Sequence, residues 1–134
     1  MWTPLPAYAE LHCLSSFSFQ RGASLPEELV ARAAALDYTA LALTDECSVA
    51  GVVRAHTRAK ELGLQFRPGA EFRVEGEGAP VTLVVLPHNL QGWGNLCEFI
   101  TAARRRAAKG TYSVTWDAMA GVPQQPSDLA LLRE

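Results

Sequence analysis

Thr39-Ala40-Leu41-Ala42-Leu43 runs without a polar interruption into Thr44-Asp45-Glu46. An apolar run this short, closed abruptly by acids, is the pattern of a strand buried on both faces in a parallel sheet. It also places carboxylates at the strand's C-terminal end. Upstream, Ser24 followed three residues later by Glu27 has the form of a capping box, with Pro26 in the first turn, where its missing N–H costs nothing. Leu29, Val30, Ala33 and Leu36 then recur at helical spacing, which predicts a helix over 25–36. Downstream, Val49, Val52, Val53, Ala55 and Ala59 predict a helix over 48–62, stopped by Gly63. A buried strand with a helix on either side is the unit of an α/β fold.

The same alternation continues outward. Tyr8-Ala9-Glu10-Leu11-His12-Cys13 suits a short first strand. Leu64–Pro68 and Ala70–Val74 read as extended segments separated by Gly69, and Val81–Leu86 is the most strand-like window, joined to Ala70–Val74 as a hairpin through Glu75-Gly76-Glu77-Gly78. Asn89 can cap a helix that carries Trp93, Leu96, Ile100 and Ala103 on one face and ends near Lys109-Gly110. Trp116 sits among turn-formers, and Leu129–Leu132 has the look of a further strand. With no repeat or polar linker, residues 1–134 read as one continuous unit. Four or five strands are too few to close a barrel of seven or eight, so the expected architecture is a partial barrel with a largely parallel sheet.

Composition excludes several classes. The chain is 49% hydrophobic and 19% charged, with a net charge of −2, which argues against binding nucleic acid through overall positive charge. No apolar run approaches the roughly 18 residues of a membrane helix and the N-terminus lacks signal-peptide character, so a cytoplasmic protein without membrane partners is expected. Three widely spaced cysteines, Cys13, Cys47 and Cys97, encode neither a disulfide framework nor a zinc ribbon and read as reduced thiols.

His12, Asp45 and Glu71 each fall at or just beyond the expected strands, and in a parallel barrel such ends form one rim. Imidazole and two carboxylates can hold zinc or manganese and activate water for phosphoester hydrolysis. A strand-end histidine and turn acids also have purely structural explanations, and spacing alone does not separate the two. Core packing accounts for Cys13 and Cys47; His56 reads as packed on its helix's apolar face, and His88 has no partner nearby in sequence. Arg104-Arg105-Arg106 with Lys109 is the one basic cluster. It reads either as cations complementing a helix C-terminus or as contacts to a nucleic-acid backbone. Phe17 and Phe19 lie in a loop leading to Arg21-Gly22, expected to pack on the rim.

Read as words, Leu11-His12-Cys13-Leu14-Ser15, Leu43-Thr44-Asp45-Glu46-Cys47 leading into Gly51-Val52-Val53, and Pro68-Gly69-Ala70-Glu71-Phe72 resemble, in order and spacing, the first three motifs of the PHP (polymerase and histidinol phosphatase) domain. Leu83-Val84-Val85-Leu86 and Gly92-Trp93-Gly94-Asn95-Leu96 extend the match over nearly the whole chain. It is nearest to the N-terminus of C-family bacterial DNA polymerases, in their error-prone branch. The resemblance implies a distorted (β/α)7 barrel, of which this chain is the first half, and a setting in DNA replication, repair and translesion synthesis.

Two departures matter. Family members competent for metal begin with His-x-His, and Leu14 stands at the second position; the second motif commonly reads Thr-Asp-His, and Glu46 replaces that histidine. A carboxylate suits a hard ion but removes a nitrogen ligand that suits zinc. The remaining set, His12, Asp45, Glu46 and Glu71, is a degenerate version of the family's site. The implied role is therefore a structural module that packs against the remainder of a polymerase chain and meets DNA only indirectly. Nucleotidyl transfer would belong to the parent-type chain, because it needs carboxylates and two metal ions on a palm domain. The alternatives are a metal-dependent phosphoesterase or proofreading nuclease using His12, Asp45 and Glu71, and a stand-alone interaction module that self-associates through an exposed sheet edge.

Overall fold

The computed structural model describes residues 4, 6–120 and 129–133. Along the chain run β1 (Ala9–Glu10), α1 (Pro26–Ala35), β2 (Ala40–Leu43), α2 (Val52–Leu62), β3 (Gln65–Pro68), β4 (Ala70–Val74), β5 (Val81–Pro87), α3 (Leu90–Arg105), α4 (Trp116–Ala120) and β6 (Leu129–Arg133). The strands form two three-stranded sheets, β1-β2-β3 and β4-β5-β6. The first is parallel throughout, as the α/β alternation predicts. The second is antiparallel, because the six residues between β4 and β5 are too few for a crossover and make a hairpin pairing Val74 with Val81. β6 pairs antiparallel with β5, so it does not open a further parallel unit.

The sheets join where β2 is prolonged past Leu43. Glu71 N–H donates to the Asp45 carbonyl at 3.0 Å and Cys47 N–H donates to the Glu71 carbonyl at 2.8 Å, a parallel bridge between Glu46 and Glu71. The kink between β3 and β4 falls at Gly69. A Cβ there would lie 2.5 Å from Leu86 Cδ2 and 2.7 Å from the Val85 carbonyl oxygen, so the close passage of the two strands admits no side chain.

Strand alternation sorts the core into three clusters. Leu41 and Leu43 of β2 face α1 and α2 and pack with Val30, Ala33, Ala55 and Ala59. Phe72 and Val74 of β4, with Leu83 and Val85 of β5, pack with Leu96, Phe99 and Ala103 of α3. The opposite faces of the two sheets share a smaller cluster of Ala42, Val84 and Leu86, flanked by Leu11. Helices thus lie outside and the sheets face each other within. Glu71 pairs in register with Val84 and belongs to this inner face.

Several boundaries differ from expectation, each for a local reason. β1 is only two residues long, because beyond Glu10 the chain turns off the sheet and touches the β2 line again where Thr44 N–H donates to the Cys13 carbonyl at 2.8 Å. The N-cap of α1 is Leu25 rather than Ser24, since Pro26 takes the first helical position and holds Leu25 extended (φ −68°, ψ 151°). Glu28, not Glu27, reaches back to the Leu25 N–H at 2.8 Å. α2 starts at Val52 instead of residue 48, after Cys47 in a left-handed conformation (φ 45°), and Val53 is 74% exposed. Asn89 does cap α3, its Oδ1 accepting from Gly92 N–H at 2.8 Å, but the helix ends at Arg105. The short helix α4 was not legible among its turn-formers. No helix among the described residues is long and apolar enough to cross a membrane.

Phe72 is fully buried and meets Phe99 edge-on at 5.0 Å between centroids. Phe72→Ala is expected to cost about 3–5 kcal/mol in denaturant unfolding. Asn89→Ala, losing only the cap, should cost about 1 kcal/mol.

Candidate functional site

The Glu46–Glu71 bridge sets two carboxylates side by side. In a parallel pairing the two residues project to the same side of the sheet at roughly 4.8 Å strand spacing, and like charges in that relation repel. Glu71 has a side chain only 4% exposed. Leaving both acids ionised there requires cations.

Two side chains answer this. His12 lies just beyond β1, not at its end, and its Nε2 is 2.5 Å from Glu71 Oε2. Arg21 contributes more. Its Nη1 donates to Glu46 Oε2 at 3.0 Å and also to Glu71 Oε1, while Nη2 reaches Glu71 Oε2 at 3.4 Å. One guanidinium nitrogen therefore touches both carboxylates. Burial alone would raise the Glu71 pKa; the hydrogen bonds from Arg21 and His12 outweigh it and hold the carboxyl below its ordinary value. The hydrogen bond to Glu71 in turn raises the pKa of Arg21.

Asp45 positions Arg21 without touching it. The Asp45 side chain, 1% exposed, turns toward the segment 15–22 and accepts from Ser15 N–H at 2.7 Å, Ser15 Oγ at 2.7 Å and Ser18 Oγ at 2.8 Å. Ser18 Oγ also accepts from Glu46 N–H at 3.0 Å. From Ser18 the chain makes a tight turn, in which Arg21 and Gly22 N–H both donate to the Ser18 carbonyl at 3.0 Å. Gly22 packs so closely that a Cβ would stand 2.0 Å from the Ser15 carbonyl oxygen. The turn delivers Arg21 over the two acids.

On the far side, Tyr112 Oη donates to Glu46 Oε1 at 2.9 Å and accepts from Arg73 N–H at 2.9 Å. Burial pushes the Tyr112 pKa up, and the bond to Glu46 adds to this, so the hydroxyl stays a donor. Arg104 lies over the Tyr112 ring, 5.4 Å from its centroid, and donates to the Cys47 carbonyl at 3.1 Å and the Glu46 carbonyl at 3.3 Å.

The expected site residues thus separate. His12, Glu46 and Glu71 come together, whereas the Asp45 carboxylate is committed to Ser15 and Ser18. Among the described residues no group of three or more His, Cys, Asp or Glu side chains is arranged to hold a metal ion. Arg104 is half-buried in the cluster just described, while Arg105, Arg106 and Lys109 are exposed. His56 is exposed rather than packed on an apolar face, its ring 6.3 Å from that of Phe66, and His88 is exposed as well. Phe19 is 84% exposed, so the rim loop does not bury it. Cys13 and Cys47 pack in the core, and burial raises both thiols to about 11. Nothing in the local pattern marks Arg21 or Tyr112, which meet their acids across 25 to 66 residues of chain.

A family model described as the PHP domain matches residues 10–128. The error-prone DNA polymerase of Ralstonia nicotianae is 58% identical over 118 residues, covering 87% of this chain and 11% of its own length. That of Dechloromonas aromatica is 62% identical over 111 residues, covering 82% of this chain and 10% of its own. The chain spans about a tenth of the curated relatives it matches. Among solved structures, an amidohydrolase from Chromobacterium violaceum, with sulfate and no metal bound, superposes with a TM-score of 0.63 at 31% identity over 74% of this chain and 34% of its own. A protein from Bifidobacterium adolescentis assigned as a metal-dependent phosphoesterase superposes with the same TM-score at 25% identity, covering 78% of this chain and 36% of its own.

Because the Glu71 pKa is depressed in the fold, the pairing stabilises fully above the unfolded value of 4.5 and is lost as pH falls below it toward the folded pKa. Glu71→Gln is expected to lower stability at pH 7 by about 2 kcal/mol, the scale of a charge-assisted hydrogen bond. It should also flatten the acid limb of a plot of melting temperature against pH below 5. An unchanged acid limb would show that the pair carries no such linkage.

Proposed function

The chain belongs to the PHP domain family, and on that premise we propose that it is a noncatalytic structural module of an error-prone DNA polymerase. In this reading it packs against the remainder of a polymerase chain, orders it, and meets DNA only indirectly. The observation that carries the reading is Arg21, which donates to both Glu46 and Glu71 and neutralises within the protein the acids that hydrolysis would need for a metal. Asp45 supports it by giving its carboxylate to Ser15 and Ser18. Leu14, at the position of a family histidine, supplies no donor. The identity to error-prone polymerases supports a parent chain that acts in DNA synthesis across damage, in the cytoplasm. Arg105, Arg106 and Lys109, exposed together at the end of α3, are the cations available to a nucleic-acid backbone in that assembly.

The second reading, a metal-dependent phosphoesterase using His12, Asp45 and Glu71 with zinc or manganese, is favoured by the likeness to the Bifidobacterium protein. If it held, the metal would polarise a phosphoryl oxygen and lower the pKa of a bound water.

The two readings separate in one assay. Purified chain incubated with zinc or manganese is expected to release no product from p-nitrophenyl phosphate or from a 3′-recessed duplex above the buffer rate. Turnover that disappears in His12→Ala would overturn the structural reading. In the full-length polymerase, Glu71→Ala is expected to lower melting temperature and primer extension together.

A further inference from the structure

As placed, the donors do not fit a divalent ion. A position within hydrogen-bond reach of both acids is already held by Arg21 Nη1, and both Asp45 oxygens are engaged by serine donors. We propose that the Arg21 guanidinium is the resident cation of this centre, standing where a divalent ion would stand, so that its removal creates a divalent-cation site from His12, Glu46 and Glu71.

Geometry carries the inference. A single nitrogen within hydrogen-bond reach of Glu46 and Glu71 marks a position from which both carboxylates can be ligands once Glu46 is drawn in by roughly 1 Å, the difference between a hydrogen bond and a metal–oxygen bond of about 2.1 Å. His12 Nε2, against Glu71 Oε2, is a nitrogen donor beside the buried acid. Charge agrees: two neighbouring acids, one almost wholly buried, need about one or two positive charges, and a guanidinium and a divalent ion both supply them. Coordination differs. Arg is a planar, permanently charged donor that can bond two carboxylates at once but offers no open position to a substrate or a water. Exchange of ion for guanidinium therefore keeps positive charge between the acids and removes Lewis acidity. Access is open, since the Arg21 side chain is 43% exposed.

The inference rests on the structural reading above, and its failure is separable from that reading's. Phosphoester turnover by the unaltered chain would overturn the reading; the outcomes below concern Arg21 alone. Zinc binding by isothermal titration calorimetry and manganese binding by electron paramagnetic resonance would be measured on the chain and on Arg21→Ala. The variant is expected to bind one ion about tenfold or more tightly than the unaltered chain, to lose that gain in Arg21→Ala/Glu71→Gln, and to release the ion to millimolar methylguanidinium. A folded Arg21→Ala chain that binds no more tightly than the unaltered one overturns the proposal, as does a gain that survives Glu71→Gln. If Arg21→Ala does not fold unaided, recovery of its circular dichroism with zinc or methylguanidinium supports the proposal, and recovery with neither overturns it.

Discussion

The juxtaposition of Glu46 and Glu71 is the constraint around which the centre is arranged. It is imposed by backbone pairing: the bridge that joins the parallel sheet to the hairpin is the same bridge that brings the acids together. The fold cannot keep the junction and separate the charges. Three side chains answer that fact, His12 and Arg21 from the N-terminal segment and the Tyr112 hydroxyl from the segment after α3. Arg104, bonded to the carbonyls of Glu46 and Cys47, braces the backbone of the same junction.

Asp45 and Glu71 show how similar residues take different work from their surroundings. Asp45 is buried among hydroxyl and amide donors, so its charge is satisfied locally and spent on shaping the 15–22 turn. Glu71 is buried beside another acid, so its charge must be met by cations from distant segments. The first organises the loop; the second receives what the loop carries. Ser15 and Ser18 therefore matter as much to the centre as the ionised residues, although neither contacts Glu71.

The chain's α/β class was legible because Ala40–Leu43 and its flanking helices announce themselves by burial and spacing, and the hairpin by its glycine-rich turn. The Asn89 cap was legible for the same reason: the interaction is local. What escaped was everything set by distant pairing. Leu25 outcompetes Ser24 as cap because a proline follows it; α2 begins late because Cys47 bends the chain to make the bridge. At the centre, His12, Glu46 and Glu71 were identifiable as ligand-type residues, but the direction of the Asp45 side chain and the arrival of Arg21 depend on a turn whose hydrogen bonds span about thirty residues.

The separations involved have a kinetic meaning. Arg21 meets Glu71 across 50 residues and Tyr112 meets Glu46 across 66, whereas the helices and the β4–β5 hairpin close over short loops. Loop-closure entropy delays such long-range contacts until local elements have formed. On that argument the acids are expected to stay hydrated until the hairpin docks on the parallel sheet, with their desolvation late in folding. The charged centre is the seam at which the two sheets are sewn together.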